Sequence, residues 1–375
     1  MNSQYIKRAE NCLNDEMEAV KELADQLYQE DLAGVIFFCS IGYDLGKIKD
    51  AVAKYFDCPV TGCTTAGEIG TRYQKNGIVG ISFSSRKFAF HCAGIDDLNN
   101  FNLNEAKDLI EDMKKNLKFS SVLDPAKIFT ILLIDGLSVK EEEITSSLYR
   151  ALEGISLIGG SAADNLTFTR TFVFAENEFR TGVASFVLIE SKMSFKAYKM
   201  QHYQPSDKDM VITEADAAKR IVTEINGGPA AEELAEIIGI PKDELTLEVY
   251  STHPVMLQIG DEWYVRSIQY VNEDDSLTFA CAIDSGIPLT VGEGTGLLPS
   301  LKKQIDQIRS DFSHIEATIG FDCIHRRLEI FAKGLVDEVE NELGKIKFIG
   351  FSTYGEQFNS IHVNQTLTCV VIGKP

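Results

Sequence analysis

The sequence predicts a mixed α/β fold of two pseudo-symmetric halves, with mixed sheets flanked by helices. Three observations carry this: short apolar runs of strand length alternate with helical stretches in the first half, runs of consecutive strands follow, and one loop string occurs twice. The string is G-C-T-T-A-G-E at 62–68 and G-F-S-T-Y-G-E at 350–356. At 375 residues the chain exceeds what one core usually needs, so two domains of roughly 150 to 190 residues are expected.

Taken in order, residues 1–31 read as a solvated amphipathic helix, because Leu13, Met17, Val20, Leu23, Ala24 and Leu27 recur at helical spacing. A strand at 35–40, a helix at 47–56 and a strand at 58–61 lead into the first loop string. Further strands are expected at 77–84, 88–93, 128–134, 157–158, 169–174 and 182–189, with helices at 104–115 and 141–151. The polar stretch at 201–209 divides a first domain, 32–200, from a second, 201–375. Beyond it, Pro229 near the start and Gly239 past the end bound a helix, and a second helix is expected at 301–308. The segment 317–327 reads as a strand whose one face carries Ala317, Ile319, Phe321, Cys323, His325 and Arg327.

Composition limits the function. With 36 basic and 56 acidic side chains the formal charge is −20, which repels nucleic-acid backbones and anionic membrane surfaces. The eight cysteines are scattered, never in a C-x-x-C pair, and read as reduced thiols. No apolar run approaches the roughly 20 residues of a membrane span, and the N-terminus is charged where a secretory signal would be apolar. A soluble, cytoplasmic protein is expected.

Glycines in the repeated string let the backbone bend and let a ligand approach main-chain N–H groups, while Ser and Thr supply hydroxyls and Glu a carboxylate. Helix-preceding strands carrying Cys39 and Cys323 stand upstream of the two copies, and L-I-G-G-S-A-A-D at 157–164 is a third, weaker relative. The plainer reading of the turns is that they set conformation, with each Glu capping a helix or pairing with a base. Gly62, Cys63, Thr64, Thr65, Glu68, Gly160, Ser161, Asp164, Gly350, Ser352, Thr353 and Glu356 are the candidate ligand-binding residues of these loops. Cys323 and Arg326 join them, Arg326 or Arg327 as a cation for a ligand carboxylate and Glu68 or Glu356 for an ammonium.

These strings, with E-I-N-G-G-P-A-A-E from Glu224, T-H-P from Thr252, F-D-C-I-H-R-R-L-E from Phe321 and H-V-N-Q-T-L-T from His362, resemble the FIST domain family, with an N-terminal and a C-terminal part. The resemblance spans about Gly34 to Gly373. It implies small-ligand sensing inside bacterial cells, with amino acids or their derivatives as ligands. It also implies signalling through a partner such as a histidine kinase or a cyclic-dinucleotide enzyme. Stand-alone members resemble a nitric-oxide-sensing group that binds haem, so the resemblance also admits haem-based nitric-oxide sensing here. Were haem bound here it would be non-covalent, for want of a C-x-x-C-H motif, with His253 and then His362 as the axial candidates. A non-enzymatic sensor that binds an amino-acid-like or other small molecule between its two related halves is therefore expected. The alternative is an enzyme acting on a small amino compound through Cys63 or the Glu68 and Glu356 pair.

Overall fold

The computed structural model describes residues 5–375 and contains three strand–helix–strand units built alike. In the first, Leu32–Ser40 runs parallel to Val60–Thr65; in the second, Ile128–Ile134 to Ser156–Ser161; in the third, His314–Cys323 to Phe348–Thr353. Parallel neighbours need a crossover. Leu45–Tyr55, Glu141–Leu152, and Ile324–Ala332 with Val336–Lys345 supply it. The first crossover begins sharply because the Asp44 carboxylate accepts from the N–H groups of Gly46 and Lys47 at 3.0 and 3.2 Å. An antiparallel strand then returns beside the first strand of each unit: Ile78–Ser84, Ala184–Ser191 and Leu367–Lys374 respectively.

The three sheets turn their inner faces toward one another. Phe38 and Cys63 of the first, Ile131 and Ile158 of the second, and Phe321 and Phe351 of the third share one buried apolar cluster. The Phe38 and Phe351 rings lie 4.6 Å apart at its centre, with Phe321 5.6 Å from Phe351. Each outer face is covered by its own helices, which explains why the central strands are buried on both faces and read as continuous apolar runs rather than alternating ones.

Between the second and third units the chain builds a separate β-rich lobe. An eight-stranded sheet, from Tyr203–Asp216 to Pro288–Gly294, packs against Ala230–Ile238 and Leu247–Thr252 around its own core. The strand before the lobe, Ser194–Met200, pairs with Leu367–Lys374, so the middle of the chain is tied to its C-terminal end. The mixed α/β class and the two-part organisation expected from the sequence are both present.

Three expectations need correction. The helix expected over 1–31 forms only at Glu16–Leu27; Ile6–Asn11 is an edge strand on Ile78–Ser84, with Ile6 and Ala9 facing inward, and 1–4 lie outside the described residues. The strand expected over 317–327 stops at Cys323, and His325, Arg326 and Arg327 sit in the first turn of Ile324–Ala332. In the parallel pairs Ser40 lies opposite Thr65 and Cys323 opposite Thr353, so the counterpart of Cys323 is Ser40 rather than Cys39.

Candidate functional site

The repeated loops lie together. The Ala66 N–H donates to the Ser352 carbonyl at 2.9 Å, that of Tyr354 to Ser161 at 3.4 Å, and that of Ala163 to Thr64 at 2.9 Å, closing a ring of three turns. The third, weaker relative of the loop string is thus a full member. Each unit also lends a strand to another: Glu68–Ile69 pairs with Phe348–Thr353, Glu356–Phe358 with Ser156–Ser161, and Val173–Ala175 with Val60–Thr65.

Inside this ring the glycines serve close packing of strands. A Cβ on Gly62, Gly159 or Gly350 would come within 2.3, 2.2 or 1.8 Å of the carbonyl oxygen of Phe37, Leu132 or Gly320. One residue on from these glycines stand Cys63, Gly160 and Phe351, all buried, with Cys63 and Phe351 in the central cluster. Burial pushes the Cys63 thiol well above its ordinary range, away from nucleophilic use. The hydroxyls are also occupied. Thr64 Oγ1 accepts from the Phe172 N–H at 3.0 Å, Ser161 Oγ from Gln357 at 3.0 Å, and Thr353 Oγ1 donates to the Ser161 carbonyl at 2.7 Å. Ser352 Oγ lies 3.4 Å from the Arg327 guanidinium.

Both glutamates fasten the return strands. Glu68 accepts from Thr65 Oγ1 at 2.5 Å and from the Gly77 N–H at 3.0 Å; Glu356 accepts from the Thr366 hydroxyl at 2.7 Å and its N–H at 3.2 Å. In the second unit the same service falls to Asp135, which accepts from the Gly182 N–H. Burial outweighs these hydrogen bonds and pushes the Glu68 carboxyl up to about 7 and the Glu356 carboxyl well above its usual range. A carboxyl whose folded-state value is raised contributes stability that is fully present below the unfolded value and lost as pH rises through the folded one. Unfolding free energy is therefore expected to fall between about pH 4.5 and 7 by on the order of 3 kcal/mol from Glu68, in urea titrations across that range. Glu68→Gln, which keeps the acceptor, should flatten the slope; an unchanged slope would contradict the assignment.

Asp164 and Arg326 hold the protein's own groups too. The Asp164 carboxylate accepts from the N–H groups of Phe168, Thr169 and Arg170 and from the hydroxyls of Thr167 and Tyr354, and so shapes the loop after the second unit. Arg326 is buried, with Nε donating to Asp322 at 2.6 Å and Nη1 to His202 Nδ1 at 3.1 Å. Since His202 Nδ1 accepts there, its Nε2–H donates to Glu329, at 2.8 Å.

The opening lies beside the ring, where the β-rich lobe meets the second and third units. A cleft of about 210 Å³ is lined by Gly136, Leu137 and Val139 after the strand Ile128–Ile134, and by Phe168 and Tyr354. From the lobe come Arg220, Ser267, Tyr270 and Phe279, and from the start of Ile324–Ala332 come Cys323, Ile324 and His325. Of the residues singled out in the sequence as ligand-binding, Cys323 alone lines it. Phe168 stacks on Tyr354 with ring centroids 4.6 Å apart. Arg220 is buried, its Nη2 2.7 Å from Glu141 and 2.5 Å from Glu142, and Nη1 donates to the Ala280 carbonyl at 3.2 Å. Burial lowers the His325 imidazole to about 4 and keeps it neutral. Burial, with Glu356 nearby, holds the Cys323 thiol well above its usual range.

Both haem candidates lie outside this cleft. His253 is exposed at the end of Leu247–Thr252, its Nδ1 3.1 Å from the Val249 carbonyl. His362 is sealed inside, its Nδ1 3.2 Å from Gln357 and its ring packed on Gly355, where an added Cβ would come within 2.2 Å. Neither lines the cleft, and the cleft is too small for a tetrapyrrole, so these residues do not fit a haem. Among the described residues no group of three or more His, Cys, Asp or Glu could hold a metal ion, and no helix is long and apolar enough to cross a membrane.

The two parts of the chain carry the mark of known sensory domains. Residues 33–228 match the FIST N domain and 230–359 the FIST C domain, so the chain belongs to the FIST family, whose domains are small-ligand-sensing domains. The join between the matches falls inside the β-rich lobe, at the turn before Ala230–Ile238. An uncharacterized protein of Methanocaldococcus jannaschii is 25% identical over 377 residues, covering 94% of this chain and 71% of the relative.

Proposed function

We propose that the protein senses a compact small molecule held in the cleft between ring and lobe. In this reading it passes the signal to a separate protein, of the histidine-kinase or cyclic-dinucleotide-enzyme class that the family resemblance implies. One observation carries the reading: three of the thirteen non-glycine residues with left-handed backbone among the described residues line this one cleft. Val139, Phe168 and Arg220 all line it, and all adopt left-handed backbone with φ 57°, 48° and 58°. Such conformations cost on the order of 1–3 kcal/mol each and persist where surrounding structure enforces them, as at ligand clamps. Val139 is β-branched, which makes its case the most unfavourable.

The same surface gives the signal a route. The lobe meets the ring through Arg220 with Glu141 and Glu142, the Ala282 N–H on Glu142 at 2.5 Å, and Arg266 Nη1 on the His362 carbonyl at 3.3 Å. A ligand touching both walls favours one lobe position over another, and the partner reads that position. The burial of Cys63 and the internal hydrogen bonds of Glu68 and Glu356 support a non-enzymatic role.

Ala280 lines the cleft, and Ala280→Trp fills it. Native mass spectrometry of protein purified from its host tests the proposal. A small adduct on the wild type that disappears in a folded Ala280→Trp variant is the expected result, and an adduct that survives the substitution would overturn the cleft as the site.

A further inference from the structure

The polar lining is rich in donors, and the charge it carries is positive, from Lys219 and Arg220. Gln365 Nε2 donates to His325 Nδ1 at 3.4 Å, so that nitrogen is an acceptor and the neutral ring presents an N–H at Nε2. Asn364 Oδ1 accepts from the Ser267 N–H at 3.4 Å, which leaves the Asn364 amide to offer its N–H groups. Among the described residues Ser267 Oγ and Arg220 Nε have no hydrogen-bond partner, although Ser267 is only 1% exposed and Arg220 6%. The helix Ile324–Ala332 begins without a side-chain cap, and its first residues, Ile324 and His325, line the cleft at the positive end of the helix dipole.

No Asp or Glu lines the cleft. The carboxylates behind it, Glu141 and Glu142, are engaged by Arg220 and the Ala282 N–H, and Arg266 and His362 complete that buried group. The carbonyls of Ala280 and Gln269 accept from Arg220 and from the Tyr250 hydroxyl. Around the donors stand Leu137, Val139, Phe168, Phe279 and Ile324, an apolar wall for a flat or branched body.

We infer that the ligand is a small carboxylate with an aromatic or branched apolar body and no ammonium, such as a 2-oxo acid, rather than an amino acid. The carboxylate and keto oxygens accept from Ser267, Asn364 and His325 near the positive end of that helix; an α-ammonium would be buried without a counter-charge, which is strongly unfavourable. This rests on the cleft being the sensory site.

Calorimetric titration of the full chain with matched pairs, phenylpyruvate against phenylalanine and 3-methyl-2-oxobutanoate against valine, tests it. The expected result is binding of at least one oxo acid, preferred over its amino acid by more than tenfold. Ser267→Ala should weaken it about tenfold, the effect of losing one hydrogen bond to a charged group. Asn364→Asp, which keeps the acceptor for the Ser267 N–H but adds a carboxylate, should reverse the preference. An amino acid binding as tightly as its oxo acid, or no oxo acid binding at all, would overturn the ligand class. Binding unchanged by Ala280→Trp would instead remove the cleft itself, so the two failures can be told apart.

Discussion

Replacing Gly350 with alanine is expected to destabilise the protein by on the order of 4 kcal/mol, the range reached only when a change violates a fixed feature of the fold. The physical reason is a collision between main chains. An added Cβ would lie 1.8 Å from the Gly320 carbonyl oxygen across the parallel pair His314–Cys323 and Phe348–Thr353, with the Phe348 ring 3.2 Å away. No side chain can rotate out of the way, because the obstructing atom is backbone. Relief requires the strands to part, and the same strand receives Glu68–Ile69 from the first unit, so the ring of turns is disturbed as well. Urea denaturation gives the number directly. A loss below about 1 kcal/mol would mean the strands yield easily, and the ring would not be the rigid frame described.

Replacing Arg220 with methionine is expected to cost about 3–5 kcal/mol, the penalty of leaving buried charges without their partner. The side chains of Arg220 and Glu141 are 7% and 3% exposed, and Glu142 shares the same guanidinium. Methionine fills much of the same volume but supplies no charge, so the two carboxylates would repel one another in a poorly hydrated site. Their protonation would rise, and the variant should be weaker at pH 8 than at pH 5. Adding Glu141→Gln and Glu142→Gln should restore much of the lost stability. Failure of that combination to recover would place the importance of Arg220 in its bond to Ala280 instead of in its charge.

Much of the frame was legible in the chain. Apolar runs bounded by turn residues located 128–134, and the position of Pro229 and Gly239 located Ala230–Ile238, because these signals are local. Ile6–Asn11 was missed because an edge strand needs only an inward Ile6 and Ala9, too short a pattern to stand out beside a strong helical period. The end of the third unit was missed for another reason. Cys323 is followed directly by a helix without a polar cap, so nothing in the sequence marks the change from strand to helix.

The repeated loops were recognised, but their role differs from the one their residue types suggest. Gly62 and Gly350 admit a neighbouring strand where they could have admitted a ligand, and Glu68 and Glu356 bind the chain's own N–H groups. The cleft was not legible, since Val139, Phe168, Arg220 and Ser267 share no motif and are brought together only by how the lobe seats on the ring. The one available signal was the D-x-x-T-x-T pattern at 164–169, whose acid and hydroxyls mark a tightly held loop.

Hydrogen exchange with and without bound oxo acid reads the cleft itself. Added protection is expected in the segments that carry Val139, Phe168 and Arg220, with the turn at 62–68 already slow to exchange and unchanged. Protection confined to that turn, with none at the cleft, would contradict the cleft as the sensory site.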